Sequence, residues 1–147
     1  MKLKLKRASL QKNADILFEI DIKSFNRPFD CPAESAEQVK NYLKNCIVYL
    51  CYDGNKPVAS FSYELREDDS VELMQMMVLP EYQKKGVGKF MTENFLRLAK
   101  GKKIHTVTHP QNTSAIILYL KHGFNIYGWK DDYYGDGQPR VLLRIEN

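Results

Sequence analysis

The order of apolar patterns along the chain predicts an α/β domain with a mixed sheet: strand, two helices, three strands, helix, strand, helix, two strands, and not a pure βαβ alternation. A second observation is the run from Val71 to Leu79, apolar except at Glu72 and Gln75 and long enough for a central strand buried on both faces. The third is bulk. A chain of 147 residues with 44% hydrophobic and 27% charged residues suits one soluble globular domain that can bury a real core. No internal repeat, low-complexity tract or linker divides it.

Each element has a local reason. The opening MKLKLKR alternates, which predicts an edge strand with Leu3 and Leu5 inward and lysines outward. Ile16, Leu17 and Ile20 mark one face of a first helix over Lys12 to Ser24, and the two prolines of Phe25 to Pro32 predict a loop. Ser35 with Gln38 three residues on resembles a capping box, and Ala36, Val39, Tyr42 and Leu43 continue it as a short second helix. Ile47 to Tyr52 and Val58 to Leu65 read as strands joined at Asp53-Gly54, and Arg66 to Ser70 is a polar turn into the central strand.

Pro80 ends that strand, and Val87, Phe90, Met91, Phe95 and Leu98 give a third helix stopping at Ala99-Lys100-Gly101. A short strand follows over Ile104 to Thr108. Asn112 is placed to cap a fourth helix carrying Ala115, Leu118 and Tyr119 on one face, with Gly123 closing it. Phe124 to Lys130 and Arg140 to Ile145 are the last strands, separated by the glycine- and tyrosine-rich DDYYGDGQP.

Several function classes are disfavoured. Cys31, Cys46 and Cys51 are an odd set without C-x-x-C spacing, so neither a disulfide framework nor a zinc site is expected. His105 and His109 are four apart on a strand and its exit, a poor metal pair, and His122 reads as a surface residue at a helix end, so no metal is expected. A net charge of +4 is modest, and no RNA-binding signature or aromatic-basic interleave accompanies it, which argues against nucleic acid. No apolar run reaches the roughly 20 residues of a membrane span, and the first residues lack the apolar core of a signal peptide. The expectation is a cytoplasmic protein with no membrane partner.

Between strand and third helix lies Gln83-Lys84-Lys85-Gly86-Val87-Gly88-Lys89. Glycines there let the main chain approach a ligand, and orphan amides at the helix start among three lysines suit a phosphate or pyrophosphate. A plain turn that merely needs glycine is the alternative. Neither the GxxxxGK[ST] loop nor the dinucleotide fingerprint is present.

From Val78 to Gly88 the chain resembles the V-x-P-x-x-Q-x-x-G-x-G signature of the GNAT acetyltransferase superfamily. Asn112 to Phe124 resembles that family's N-x-x-A-x-x-L-Y-x-x-x-G-F segment, and Tyr133-Tyr134 before Gly135-Asp136-Gly137 is similar to the tail of ribosomal-protein and other N-terminal acetyltransferases. The resemblance implies a GNAT-type fold over residues 1–147, a mixed, mostly antiparallel twisted sheet of about seven strands flanked by about four helices. It implies acetyl-CoA as cofactor. Main-chain groups of Met76, Met77 and Val78 would meet the pantetheine arm in a gap where the central strand splays from Ile104 to Thr108. The segment Gln83, Lys84, Lys85, Gly86, Val87, Gly88 and Lys89 would hold the pyrophosphate, and Asn112 would touch the pantetheine region.

By the same resemblance Tyr119 is the general acid near the cofactor sulfur, and the Val78 N–H is the partner of the thioester carbonyl oxygen. Without the flanking pattern Tyr119 would read as a core tyrosine. The glutamate that often stands twelve residues before the tyrosine in the N-terminal acetyltransferases is here Val107. The base is therefore sought among Glu72, acting through water, Gln75, His105 and His109, with Glu72 foremost. Phe25, Phe29, Tyr133 and Tyr134 border the acceptor side as an aromatic groove or as loop packing. Cys31 lies in the same loop, but direct transfer needs no covalent intermediate.

The function implied is transfer of acetyl from acetyl-CoA to an amine, a peptide or protein α-amine. The alternatives are a small amine such as a polyamine or amino sugar, and a non-catalytic CoA-binding sensor module. A monomer or homodimer is expected.

Overall fold

The computed structural model describes residues 1–146. Its elements run β1 (Leu3–Arg7), α1 (Leu10–Ser24), α2 (Ala36–Leu43), β2 (Ile47–Asp53), β3 (Lys56–Leu65), β4 (Val71–Val78), a single 3-10 turn (Pro80–Tyr82), α3 (Val87–Leu98), β5 (Ile104–Thr108), α4 (Thr113–Lys121), β6 (Asn125–Lys130) and β7 (Arg140–Ile145). The strands form one seven-stranded sheet in the order β1-β2-β3-β4-β5-β7-β6. Every pairing is antiparallel except β4 with β5. Among the described residues no helix is long and apolar enough to cross a membrane.

Strand register sorts the side chains into two faces. Tyr63 opposite Leu73 and Phe61 opposite Met76 face α3, where the buried Phe95 ring lies 5.9 Å from Phe61 and 5.4 Å from Tyr63. Ser60 opposite Met77 and Ser62 opposite Gln75 face α1, whose Gln75 contact runs through Asp21. Small serines on that face leave room for Leu17 and Ile20 of α1 and Val39 and Leu43 of α2, all buried. Burying each such side chain contributes about 1.5–3 kcal/mol, so the two helical layers hold the sheet between them.

The opening strand is an edge with Leu3 and Leu5 half-buried against the core, and the hairpin of β2 and β3 turns on Gly54-Asn55 (Gly54 φ 60°), one residue later than expected. The capping box is half formed. Ser35 Oγ accepts the Gln38 N–H at 3.1 Å, but Gln38 Oε1 receives the Glu34 N–H instead of that of Ser35. Asn112 does not cap α4 through its side chain. Its amide donates back to Thr108 Oγ1 (3.2 Å) and its Oδ1 accepts from Arg27 Nη1 (3.0 Å), a tie between segments 85 residues apart.

The central strand differs from the expectation of burial on both faces. Only Val71, Leu73 and Met77 are buried, and Leu79 is buried just beyond the strand. The reason is a bulge. Ser62 pairs with Gln75 and Tyr63 with Leu73, so Met74 is a surplus residue on β4. A bulge bends its strand and changes the phase of its side chains. Here it coincides with the end of the β4–β5 ladder, whose register covers only Val71/Ile104, Glu72/His105 and Leu73/Thr106. Beyond that point the two strands part.

Candidate active site

The fork between β4 and β5 exposes backbone on purpose-built sides. Leu79 N–H donates to the Val58 carbonyl at 2.9 Å, and in an antiparallel ladder the direction alternates residue by residue. The main-chain groups of Val78 and Met76 therefore point away from β3 and into the fork. Those of Met77 are turned to Ser60 on β3, so of the three residues expected to offer main-chain groups only two can. Gln83 Nε2 donates to the Val78 carbonyl at 3.0 Å, which leaves the Val78 N–H as the free donor of that peptide edge.

The fork opens on one side to a cleft of about 350 Å³ that ends at the start of α3. Lys84 (φ 60°) and Gly86 (φ 87°) both adopt left-handed backbone, which curls the turn so that successive N–H groups converge. The first amide of α3 to close is that of Phe90, on the Gly86 carbonyl at 3.0 Å, so the amides of Val87, Gly88 and Lys89 have no acceptor within the helix. Gly88 is closely packed: a Cβ there would lie 3.3 Å from Leu118 Cδ2 of α4, which would have to move by a few tenths of an ångström. Gly86 needs its freedom for conformation alone, since nothing lies within 4 Å of a Cβ built on it. Gly86→Ala is expected to cost about 1–2 kcal/mol in urea unfolding, because the strain of left-handed backbone is not offset by any contact.

Gln83, Lys84, Gly86, Gly88, Lys89, Asn112 and Tyr119 line this cleft, as do Met76, Met77 and Val78. Two expected members do not. Val87 is buried in the core, and the Lys85 ammonium sits 5.9 Å from the Tyr82 ring. Ser24, at the end of α1, also lines the cleft. Its Oγ is buried with no hydrogen-bond partner among the described residues, an arrangement that calls for a polar ligand atom.

On the opposite side the fork opens to a larger cleft of about 550 Å³ between the α1–α2 loop, α2, and the β6–β7 loop. The two clefts share Phe25, Arg27, Met76, Asn112, Ala115 and Tyr119. Tyr119 and Arg27 are thus the titratable side chains common to both, and Tyr119 is the phenol at their junction. It is 6% exposed, with its ring 5.2 Å from Phe124. Burial pushes the phenol up to about 12, and a hydrogen bond with Thr106 opposes part of that rise. The proton is held at Oη at any working pH.

The other candidates separate. Phe25 lines both clefts, and Phe29 and Tyr134 line the larger, whereas Tyr133 lines neither and instead stacks edge-on against Tyr134 at 4.7 Å. Glu72 also lines neither. It sits at the closed end of the β4–β5 ladder, opposite His105, and its carboxyl is raised by burial, with Arg66 and His105 pulling the other way. Burial raises the Tyr42 and Tyr134 phenols, and the Glu72 charge adds a smaller push to each.

His109 lines the larger cleft but both ring nitrogens are engaged: Nδ1 accepts the Gln111 N–H at 3.1 Å and Nε2 meets Gln138 Oε1 at 2.9 Å, with Phe29 stacked on the ring at 4.4 Å. His105 Nδ1 meets Tyr127 Oη at 3.2 Å, on the wall away from both clefts. Cys46 and Cys51 are pushed up to about 11 by burial, which keeps them as thiols, and Cys31 is exposed at the larger cleft. Asp21, Ser24 and Arg27 are cleft residues that the sequence did not single out. The signal available was polar residues at 21 and 24 continuing the apolar stripe of Leu17 on α1.

Comparison with known proteins agrees with this geometry. A family model described as an acetyltransferase (GNAT) domain matches residues 44–126, more than half of the chain. A peptidyl-lysine N-acetyltransferase, YjaB, of Salmonella typhimurium is 28% identical over 114 residues, covering 77% of this chain and 73% of the relative. The ribosomal-protein-S18-alanine N-acetyltransferase of Escherichia coli has the same fold with a TM-score of 0.82 at 18% identity, over 98% of this chain and 93% of that one. A Bacillus subtilis acetyltransferase solved in complex with CoA superposes with a TM-score of 0.81 at 20% identity, over 99% of each chain. A forked sheet with a glycine-built helix start on one side, and a family model spanning β2 to β6, establish that this chain belongs to the GNAT acetyltransferase family.

Proposed function

We propose that the protein moves the acetyl group of acetyl-CoA directly to an amine that enters through the larger cleft. The observation that carries this reading is the meeting of the two clefts at Tyr119 in the β4–β5 fork. When bound, acetyl-CoA supplies an activated acetyl thioester. The residues present fit it: free amides at the α3 start with Lys84 and Lys89 suit a diphosphate, fork-facing groups of Met76 and Val78 suit an amide-bearing arm, and the orphaned Ser24 hydroxyl gains a partner. Asn112 serves by bracing the α1–α2 loop through Arg27 as well as by lining both clefts.

The chain's own groups then have distinct tasks. The Val78 N–H, aimed into the fork, is available to an oxygen on which negative charge develops. Tyr119 holds a proton at Oη beside the junction. Glu72 lines neither cleft and could relay a proton only through water. With Val107 in place of an acid on β5, deprotonation of the acceptor falls mostly to its own acidity. An α-amine with a pKa near 8 costs about 1 kcal/mol to deprotonate at pH 7, whereas a lysine near 10.4 costs roughly 4–5 kcal/mol.

This favours peptide or protein α-amines over lysine side chains, with small amines of low pKa as the second choice. The YjaB relative, named for peptidyl-lysine, marks the competing outcome. Thiol release from acetyl-CoA, measured on matched peptides bearing either a free α-amine or only a free lysine, decides between them. Faster turnover of the α-amine peptide at pH 7 is expected, with the rate rising toward pH 8 as the amine loses its proton. Because the Tyr119 phenol stays protonated to about 12, no falling limb below about pH 10 is expected from it. A clear lysine preference would reverse the assignment, and absence of thiol release with every acceptor would remove the transferase reading.

A further inference from the structure

We infer that the larger cleft selects an amine acceptor carrying a second positive charge, with one ammonium received on its floor by Asp21 and Gln75 and the other charge met by Glu34 at its rim. The inference rests on the transferase reading above and concerns which acceptor that site accepts. Four carboxylates line the cleft, those of Asp21, Asp30, Glu34 and Asp136, against the guanidiniums of Arg27 and Arg140. Both guanidiniums are already spent. Arg27 grips Asp30 through Nε (2.9 Å) and Nη2 (3.2 Å), and Arg140 Nη2 lies 2.8 Å from Asp136. Both ring nitrogens of His109 are engaged, with the Gln111 N–H and with Gln138 Oε1. No lysine lines the cleft. Asp21 and Glu34 therefore remain uncompensated among the described residues.

Asp21 is the unusual one. It is 4% exposed, it lies on the α1 face of the sheet, and among the described residues no cation pairs with it. Its Oδ1 accepts the Ala33 N–H at 2.8 Å and its Oδ2 accepts from Gln75 Nε2 at 3.2 Å. An ionised carboxylate offers about four acceptor positions, so two are left. Because a carboxylate can only accept, the Gln75 amide must turn its nitrogen toward Asp21, which leaves Gln75 Oε1 beside it without a donor among the described residues. The spare lone pairs of Asp21 and the neighbouring Gln75 Oε1 suit a group that has three N–H bonds and a positive charge. Burial raises the Asp21 carboxyl above its usual range, as expected of a carboxylate whose counter-charge has yet to arrive. Phe29, Tyr42 and Tyr134 supply aromatic wall for the methylene stem between two ammonium groups.

Two sources share this chemistry: a polyamine, and a peptide whose free α-amine is followed by a basic side chain. The test measures kcat/KM for the full chain at saturating acetyl-CoA with four acceptors: a linear triamine, a monoamine of equal length, and two peptides that differ only in lysine or alanine at the second position. A preference of at least tenfold for the dicationic member of either pair is expected, and the pair that shows it names the source. D21N and, separately, E34Q are expected to pull that preference toward one, chiefly through acceptor KM. E34Q changes an exposed residue, so it keeps the question open to disproof should D21N fail to fold. Equal rates within both pairs would overturn the inference and leave the transferase intact. So would equal losses on dicationic and monocationic acceptors in D21N together with no effect of E34Q, since that pattern belongs to a purely structural Asp21. Binding of acetyl-CoA without turnover of any acceptor would overturn both readings.

Discussion

Replacing Tyr119 by phenylalanine is expected to lower kcat by about a hundredfold to a thousandfold while leaving acetyl-CoA binding nearly unchanged. The phenol stands where the two clefts join, and the substitution removes one oxygen from a side chain whose ring keeps its place against Phe124. With the phenol at about 12, its proton is held roughly 3.5 units more tightly than that of a thiol, so complete transfer from phenol to thiolate is uphill by about 5 kcal/mol. In the transfer proposed above, its larger contribution would be a hydrogen bond donated to charge that appears only as the bond to sulfur breaks. Such a donor acts on kcat more than on KM. Steady-state kinetics beside calorimetric titration of acetyl-CoA checks both halves of the expectation. Unchanged turnover would strip Tyr119 of the role.

Phe95→Ala carries the largest expected effect on stability, about 3–5 kcal/mol, read as a fall of about 10 °C in the thermal midpoint. Phe95 is fully buried on α3, edge-on to Phe61 and tilted against Tyr63, and α3 is the helix whose start forms the end of the smaller cleft. The void left by the ring would let α3 settle toward β3. Calorimetry of the variant with and without acetyl-CoA separates the two consequences, because loosening at Phe95 should reach the amides of Val87 to Lys89 two turns away. A loss of less than about 1 kcal/mol would mean that the layer collapses around the gap.

Elements with strong periodicity were legible in the chain. The apolar stripe of Val87, Met91 and Phe95, the apolar run of Ile47 to Tyr52 and the short β-branched stretch of Ile104 to Thr108 give α3, β2 and β5 within a residue or so of their observed bounds. Local turn chemistry was nearly as clear, since Gly86 and Gly123 both fall where φ is positive. What escaped depends on partners distant in sequence. The Met74 bulge exists only as a mismatch between β3 and β4, and no property of residue 74 alone announces it. Asn112 looks like a helix cap until Arg27 arrives from 85 residues away to claim its Oδ1. Asp21 and Ser24 read as ordinary polar positions on a helix, and only the placement of α1 over the sheet gives them a cleft to face. Glu72 fails for the converse reason. It is on the expected strand, but inside the paired stretch Val71–Leu73, one residue before the β4–β5 ladder ends, and it lines neither cleft.

The surplus at Met74 has a consequence for how such a protein can change. Without it β4 would keep its pleat in step with β3 and could zip against β5 beyond Leu73, sealing the doorway between the two halves of the molecule. Deletion of Met74 would leave Gln75 opposite Ser62 on the α1 side and Met76 opposite Phe61 on the α3 side, because the pairing on either side of the bulge already has each residue on its own face. In the middle of β4 a single codon separates a sheet with an aperture from a solid wall.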